Sequence, residues 1–356
     1  MRRSAVLAAL AAVWACGASP TLSFAADAKS AADLFPATSI VYVEALHPAA
    51  AIELIANHPL VKRVGAIEPV QKALAKDGKV KEFLAKLKEI ETALGRPWRQ
   101  AVGDLAENGI YVAIEPASQG LAVLCKGRDS ETLLTLRDEL VRLAEKEAAI
   151  RGGKSDLEES TYRGVSVYQH KETYHALFGD WFLLSNKEGL GRQIVDTFLD
   201  GDATTLADEP LFKEAHATAP ADACAWGYVR LDVLRLVGAG KKVFADRLDD
   251  PAGELIAGGL VAALQKANYV TAALHLESGE VKLTVAAPFN AAKVPEERSF
   301  YFGAKEQAPQ PIDVPNRLLN LVVYRDAAKW WQTAEEAFPE NDAAKLAQAD
   351  SQLTLF

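Results

Sequence analysis

The sequence predicts an α+β fold in which a mainly antiparallel sheet packs against helices. Short β-branched and aromatic runs come in pairs separated by turn residues, which is typical of antiparallel hairpins. Longer segments between them repeat apolar residues every three to four positions, which is typical of helices that cover a sheet. In each half of the chain the order of elements matches a split βαβ unit of the ferredoxin-like type.

The first half of the mature chain, residues 26–168, contains four predicted strands. They cover residues 39–46, 110–114, 121–125 and 164–168. Residues 110–125 form a predicted hairpin, because a Pro- and Gly-containing turn separates two apolar runs. We predict helices over 49–55 and 70–94, and a third helix for which Asp129 is the N-cap.

The second half, residues 169–290, repeats these ingredients without repeating the sequence. It opens and closes with predicted hairpins, the first turning at Gly179-Asp180 and the second at 277–280. The predicted strands are 174–178, 181–184, 225–229, 269–276 and 281–286. The predicted helices are 188–199 and 211–217, with further helical segments between 233 and 264.

The composition becomes turn-rich after the second half. Residues 291–316 hold several prolines and are the predicted linker. Residues 317–356 then begin with an apolar, β-branched run at 318–324 that leads into a predicted helix. We expect this segment to be the start of a second module, of which the chain contains only an incomplete part.

Residues 1–25 have the features of a secretory signal peptide: a positively charged start, a short apolar stretch and a polar end. Ser23 and Ala25 supply the small side chains that a signal peptidase needs. We therefore expect cleavage after Ala25. A lipid anchor at Cys16 is the alternative, and the bulky Trp14 disfavours it.

Charge and hydropathy restrict the partners and the compartment. The formal net charge is −9 at pH 7, whereas proteins that bind nucleic acid gather Lys and Arg, so nucleic acid is excluded as a partner. No segment after residue 25 approaches the ~18 uninterrupted apolar residues of a membrane span. The predicted location is extracytoplasmic, either periplasmic or secreted, and the predicted partner is a protein or another envelope component.

Two cysteines remain once the signal peptide is removed. Cys125 and Cys224 each lie in a strand-like run, in a compartment that permits disulfides. Two interpretations stay open. They form a disulfide, or they are two separate buried thiols, and the disulfide requires Cα atoms within about 7 Å.

The motifs of common enzyme classes are absent from the sequence, so we predict no catalytic residue and no cofactor. His170 and His175 flank a predicted turn with Glu172 between them, so the three side chains are candidate ligands for a divalent metal. A polar hairpin tip is the commoner reason for such residues, so we predict no metal site. The lysines of the predicted helix at 70–94 are interleaved with acids, which indicates a solvated helix surface. Trp330 and Trp331 are adjacent in a predicted helix, so they cannot form one flat platform.

Three segments carry a resemblance to a known family. They are Leu34–Val43, Tyr174–Asn186 and Leu206–Lys213. Together they resemble the exported bacterial family called domain of unknown function 3352, over most of residues 32–290. The motifs of this family are structural, so the resemblance supplies no catalytic residue, cofactor or ligand. Members of the family are often longer than this chain.

These observations predict a non-catalytic extracytoplasmic protein that binds a partner or has a structural role in the envelope. An exported hydrolase with an unrecognised active site is the alternative. A deep pocket with convergent carboxylates, or a histidine with a shifted pKa, would favour the hydrolase. A flat apolar or charged surface would favour the binding protein.

Overall fold

The structure is a computed structural model, and it describes most of the chain after residue 29. The described residues are 30–68, 71–72, 78, 85, 88, 91–92, 95–138, 142, 157–170, 172–236, 251–276, 281–289, 296–301 and 325–333. The predicted signal peptide, the run at 318–324 and most of the helix at 70–94 lie outside these residues.

Ten described strands form one sheet, and the α+β class is confirmed. The strands are β1 (Val41–Ala45), β2 (Ile110–Glu115), β3 (Gly120–Lys126), β4 (Leu157–Tyr162), β5 (Val165–His170), β6 (Thr173–Phe178), β7 (Trp181–Ser185), β8 (Ala225–Arg230), β9 (Tyr269–Leu276) and β10 (Val281–Ala286). Their order across the sheet is β10-β9-β8-β1-β2-β3-β7-β6-β5-β4. The ferredoxin-like arrangement within each half stays a prediction.

Antiparallel strand pairs build the part of the sheet from β1 to β4. The predicted hairpin β2-β3 is confirmed, with Val112 opposite Val123. The predicted hairpin β6-β7 is also confirmed, with Phe178 opposite Trp181 across the turn. Because β3 pairs with β7 and β5 with β6, the sheet continues across the boundary predicted between residues 168 and 169.

The described helices include the predicted ones at 49–55, 188–199 and 211–217, and two that were not predicted, at 59–65 and 98–105. In chain order the helices are α1 (Pro48–Asn57), α2 (Pro59–Gly65), α3 (Trp98–Leu105), α4 (Glu188–Asp200), α5 (Pro210–His216), α6 (Leu231–Leu236), α7 (Pro251–Lys266) and α8 (Ala327–Gln332). A further helix follows Asp129, whose carboxylate accepts a hydrogen bond from the backbone N–H of Thr132 at 2.7 Å. This contact confirms the predicted N-cap.

The two faces of the sheet differ at its centre. Tyr42, Leu124 and Leu183 lie on one face and are fully buried, as are Leu190 and Ile194 of α4. Alternation along β1 and β2 places Val43 and Val112 on the opposite face. The first face therefore carries the main core, and the second is covered only in part.

The chain separates into two compact units, Met1–Tyr228 with Ala272–Thr284, and Val229–Thr271 with Val285–Phe356. In the second unit, Arg235 donates hydrogen bonds to the carbonyls of Leu264 and Ala267 at 3.0 and 2.8 Å. The guanidinium thus satisfies carbonyl groups at the C-terminal end of α7, which have no partner within a helix. The predicted boundaries at 290–291 and 316–317 fall where few residues are described, and they stay predictions.

Candidate functional site

A buried carboxylate, that of Glu44, lies on β1. Tyr42 and Glu44 are two residues apart, so both point to the buried face of the sheet. Helix α5 ends beside them and brings His216 to the carboxylate. Pro210 at the first turn of α5 and the Glu209 carboxylate, which accepts from the N–H of Phe212 at 2.9 Å, begin this helix.

An aromatic cluster surrounds this point, formed by Phe35, Tyr42, Phe212, Trp226 and Tyr228. Its rings meet mostly edge to face, for example Tyr42 with Phe212 at 5.1 Å between centroids and Phe212 with Tyr228 at 5.3 Å. Such contacts add about 0.5–1.5 kcal/mol each to the burial of the rings. The cluster therefore fixes the position of α5 against the sheet.

Glu44 links the cluster to the surface through both of its carboxylate oxygens. Its Oε2 accepts a hydrogen bond from the hydroxyl of Tyr42 at 2.8 Å, and its Oε1 lies 3.4 Å from Nε2 of His216. His216 stacks on Phe212 at 5.3 Å and leaves 47% of its side chain exposed. Burial and the neighbouring Glu44 raise the pKa of Tyr42 well above its usual value. The hydrogen bond with Glu44 raises the pKa of His216.

The Glu44–His216 pair supplies two of the three parts of a hydrolytic triad. A carboxylate orients an imidazole, and the imidazole is exposed to solvent. In the described part of the chain, the polar side-chain contact of His216 is with Glu44, and its other neighbours are the rings of Phe212 and Trp226. This geometry suits proton exchange with water, and it lacks a described nucleophile. No sequence pattern indicates the pair, because Glu44 and His216 are far apart in the chain and form no motif.

The candidate metal ligands are not brought together. His175 is buried on β6, where it stacks on Tyr168 at 5.7 Å with ring planes 22° apart. His170 ends the preceding strand opposite Thr173. Among the described residues, no group of three or more metal-binding side chains lies close together. His175 therefore belongs to the packing of the sheet.

The two cysteines are free thiols that lie apart in the sheet. Cys125 is buried on β3 against Ala106 and Phe182, and burial raises the pKa of its thiol to about 12. Cys224 precedes β8 and donates a hydrogen bond from its thiol to the carbonyl of Leu274 at 3.1 Å. Strands β1 and β2 lie between β8 and β3, and three strand spacings amount to about 14 Å. The two thiols are not bonded to each other in the structure.

The remaining sequence candidates are surface or packing residues. Trp330 and Trp331 meet edge to face, with centroids 6.0 Å apart and planes at 70°, so they form no flat platform, as predicted. Trp331 is exposed and Trp330 is half-buried. At the predicted lysine-rich helix, Lys72 lies 2.5 Å from Glu68, and both side chains are exposed.

The partly covered face of the sheet presents four aliphatic side chains, which we call the open aliphatic face: Val41, Val43, Val112 and Ile114. They form two cross-strand pairs, Val41 with Ile114 and Val43 with Val112. All four are at least partly exposed, and Val43 is 39% exposed although it lies within a strand. Gly227 of the neighbouring strand β8 lies beside this face, because a Cβ at this position would lie 3.7 Å from Cγ2 of Val43. Being a glycine, it adds no side chain that could cover Val43.

No known family matches the chain, and no curated protein matches it. Among solved structures, it is similar to TP0453 in crystal forms III, IV and I, with 12%, 11% and 10% sequence identity and TM-scores of 0.38, 0.36 and 0.39. The similarity covers 74%, 71% and 88% of this chain and 81%, 78% and 99% of the other. At these values it establishes neither the fold nor the function of this chain.

The length and composition of the described helices show whether any of them could span a membrane. In the part of the chain that the structure describes, none of them combines the length and the apolar composition needed to cross a bilayer.

Proposed function

We propose that this chain is a non-catalytic, envelope-associated protein that acts outside the cytoplasm by binding another protein. The open aliphatic face is the observation that carries the proposal. It presents two cross-strand pairs of uncharged aliphatic side chains, and Val43 among them is 39% exposed. Exposed aliphatic surface on a sheet is more typical of a binding surface than of an active site.

The charge of the molecule favours a protein partner over a lipid surface. The chain has a net charge of −9, so anionic headgroups would repel it. None of the four side chains of the open aliphatic face carries a charge. The expected partner surface is therefore neutral and aliphatic.

Fractionation of cells that export the full-length chain tests this proposal. We expect Val43→Asp to release the protein from its envelope complex into the free extracytoplasmic fraction, because a buried carboxylate without a partner opposes the contact. Ile55→Asp is the matched control, since Ile55 is 42% exposed on α1, and it should fractionate like the wild type. Equal fractionation of both variants would overturn the proposal. Circular dichroism of both confirms that they are folded.

N-terminal sequencing of the exported protein tests the compartment separately. Cleavage after Ala25 is the expected result, and it leaves Ala26 at the N-terminus. An acylated Cys16 at the N-terminus would instead indicate a lipid-anchored protein. A chain that keeps Met1 and remains in the cytoplasm would contradict the export.

The Glu44–His216 pair supports a hydrolase as the second candidate function. The side chain of His216 is half-exposed, is oriented by a carboxylate and has a raised pKa. Purified protein should then hydrolyse model esters or glycosides, and His216→Gln should remove this activity without loss of folding. If neither protein has activity, or if both are equally active, the hydrolase is rejected.

A further inference from the structure

The two end strands of the sheet differ in how they are protected from pairing with another chain. β4 and β10 are the first and last strands of the described sheet, and no other described strand pairs with their outer edges. The outer edge of a sheet offers unpaired N–H and C=O groups to any extended chain. Proteins usually protect such an edge with charges, prolines, bulges or a covering element.

Among the described residues, the edge at β4 carries more charge than the edge at β10. β4 carries Glu158 and Glu159 in sequence, and both side chains are exposed. β10 has the sequence Val-Lys-Leu-Thr-Val-Ala, with Lys282 as its only charge and no proline. All six of its residues are exposed, and Leu283 at its centre is 64% exposed. Aliphatic and polar residues alternate along it, so one side is apolar from end to end.

We propose that β10 pairs antiparallel with β10 of a second copy of this chain, which joins the two sheets across a twofold axis. When the axis passes through Leu283, this residue lies opposite Leu283 of the second copy. The same register places Val281 opposite Val285. Val281, Leu283 and Val285 of both copies then meet on one side of the joined sheet, where cross-strand pairs stabilise it.

The charges of β10 are compatible with pairing to β10 of a second copy. In the twofold register Lys282 lies opposite Thr284, so the only charged residue of β10 does not meet its own copy. Two copies of β10 can therefore pair without placing like charges opposite each other, whereas β4 places two consecutive carboxylates at its edge. Two strands of six residues bury well under 1,000 Å², so the dimer is weak, with a dissociation constant in the micromolar range or above.

Sedimentation of the purified mature chain across about 1 to 500 µM tests the pairing. We expect a reversible shift from monomer to dimer in the wild type, and at least a tenfold weaker dimer for Leu283→Lys, because two ammonium groups then face each other. Leu260→Lys is the control, since Leu260 is 52% exposed but lies on helix α7. A wild type that stays monomeric at all concentrations overturns the proposal. A dimer that Leu260→Lys weakens as much as Leu283→Lys also overturns it.

A charge exchange then tests the register. Leu283→Lys and Leu283→Asp should each be monomeric alone, and an equimolar mixture should form a heterodimer, because opposite charges meet across the axis. In a Cys224→Ser background, Leu283→Cys should form a disulfide-linked dimer under mild oxidation, since directly opposite Cα atoms lie within bonding range. A mixture that stays monomeric, or an unlinked Leu283→Cys protein, would contradict the twofold register. The test needs neither export nor an envelope partner, so its outcome is independent of the proposed function.

Discussion

The carboxylate of Glu254 lies in the interior of the second unit, where Tyr301 and Arg325 stabilise it. The hydroxyl of Tyr301 donates to Oε1 of Glu254 at 2.6 Å. The guanidinium of Arg325 lies 4.9 Å from the centre of the Tyr301 ring. A buried charge needs such hydrogen bonds and an opposite charge, because it has lost its hydration.

Tyr301→Phe should destabilise the protein because it removes one hydrogen bond from this buried charge. We expect a loss of about 1.5–3 kcal/mol in the free energy of unfolding, measured with urea. Tyr162→Phe is the matched control, since its hydroxyl donates to the carboxylate of Asp196 at 2.8 Å near the surface. Water replaces that lost hydrogen bond, so the change should be much smaller. Equal losses in the two variants would show that burial does not determine the effect.

His216 should make the stability of the first unit depend on pH. Its pKa in the folded state is raised by the hydrogen bond with Glu44, so the folded state binds a proton more tightly than the unfolded state does. The contribution is therefore fully present below the unfolded pKa of about 6.5 and is lost as the pH rises through the folded pKa. Half-exposure limits it to about 0.5 kcal/mol.

Unfolding curves of the wild type and His216→Gln at several pH values measure this contribution. The wild type should be the more stable at about pH 5.5, and the difference should decrease toward about pH 8. Glu44→Gln should lower the His216 pKa observed by NMR titration. If the stability difference between the wild type and His216→Gln instead grew with pH, protonated His216 would not be the stabilising form.

At the scale of elements, helix α7 contains two adjacent glycines that allow Tyr301 to pack closely. A Cβ at Gly258 would lie 2.1 Å from the hydroxyl of Tyr301, and a Cβ at Gly259 would lie 3.0 Å from the Cβ of Tyr301. A glycine inside a helix costs about 1 kcal/mol relative to alanine. The close packing of Tyr301 and its hydrogen bond with Glu254 offset this cost.

Gly258→Ala should therefore destabilise the protein, against the usual benefit of alanine in a helix. We expect a loss of about 1–3 kcal/mol, because the rigid tyrosine ring has to move. Gly189→Ala in α4 is the control, since a Cβ there meets nothing within 4 Å, and it should be neutral or stabilising by up to about 1 kcal/mol. A stabilised Gly258→Ala would show that the contact with Tyr301 is loose.

The sequence predicted the elements with strong local signals and missed those without them. The hairpins β2-β3 and β6-β7 combine apolar runs with turn residues, and both are confirmed. Strand β4 has no such run, and its turn to β5 places Arg163 at φ +50°, where Gly or Asn is usual. The turn is stabilised instead by contacts of Arg163 with Asp196 and Asp200 of α4 at 2.6–2.7 Å. Such long-range contacts leave no local pattern.

The candidate site was less predictable than the fold for the same reason. Glu44 and His216 meet only because β8 places its aromatic rings beside β1 and α5 packs on both. Neither residue has neighbours in sequence that distinguish it from an ordinary surface Glu or His. The candidate ligand His175 had a suggestive local pattern, whereas the alternation of β6 directs its side chain into the packing of the sheet.

At the scale of the whole molecule, the sheet order predicts a gradient of local stability. β2, β3 and β7 have described partners on both sides, whereas β4 and β10 have a described partner on one side only. Amide hydrogens in the centre of a sheet exchange only on extensive unfolding, and those at an edge exchange through local opening. We expect hydrogen exchange, followed by mass spectrometry, to be slowest in β2 and β3 and fastest in β4 and β10. Fast exchange in β3 would contradict this sheet order.

The concentration dependence of this exchange distinguishes the two edges. If β10 pairs with a second copy, raising the protein concentration from about 1 to 500 µM should slow exchange in β10, because dimerisation gives its outer N–H groups partners. Exchange in β4 should not change, since Glu158 and Glu159 protect that edge from pairing. Leu283→Lys should remove the concentration dependence in β10 and leave the rest of the sheet unaltered. Equal slowing at both edges would indicate non-specific association, and no slowing in β10 would mean that its edge remains free in solution.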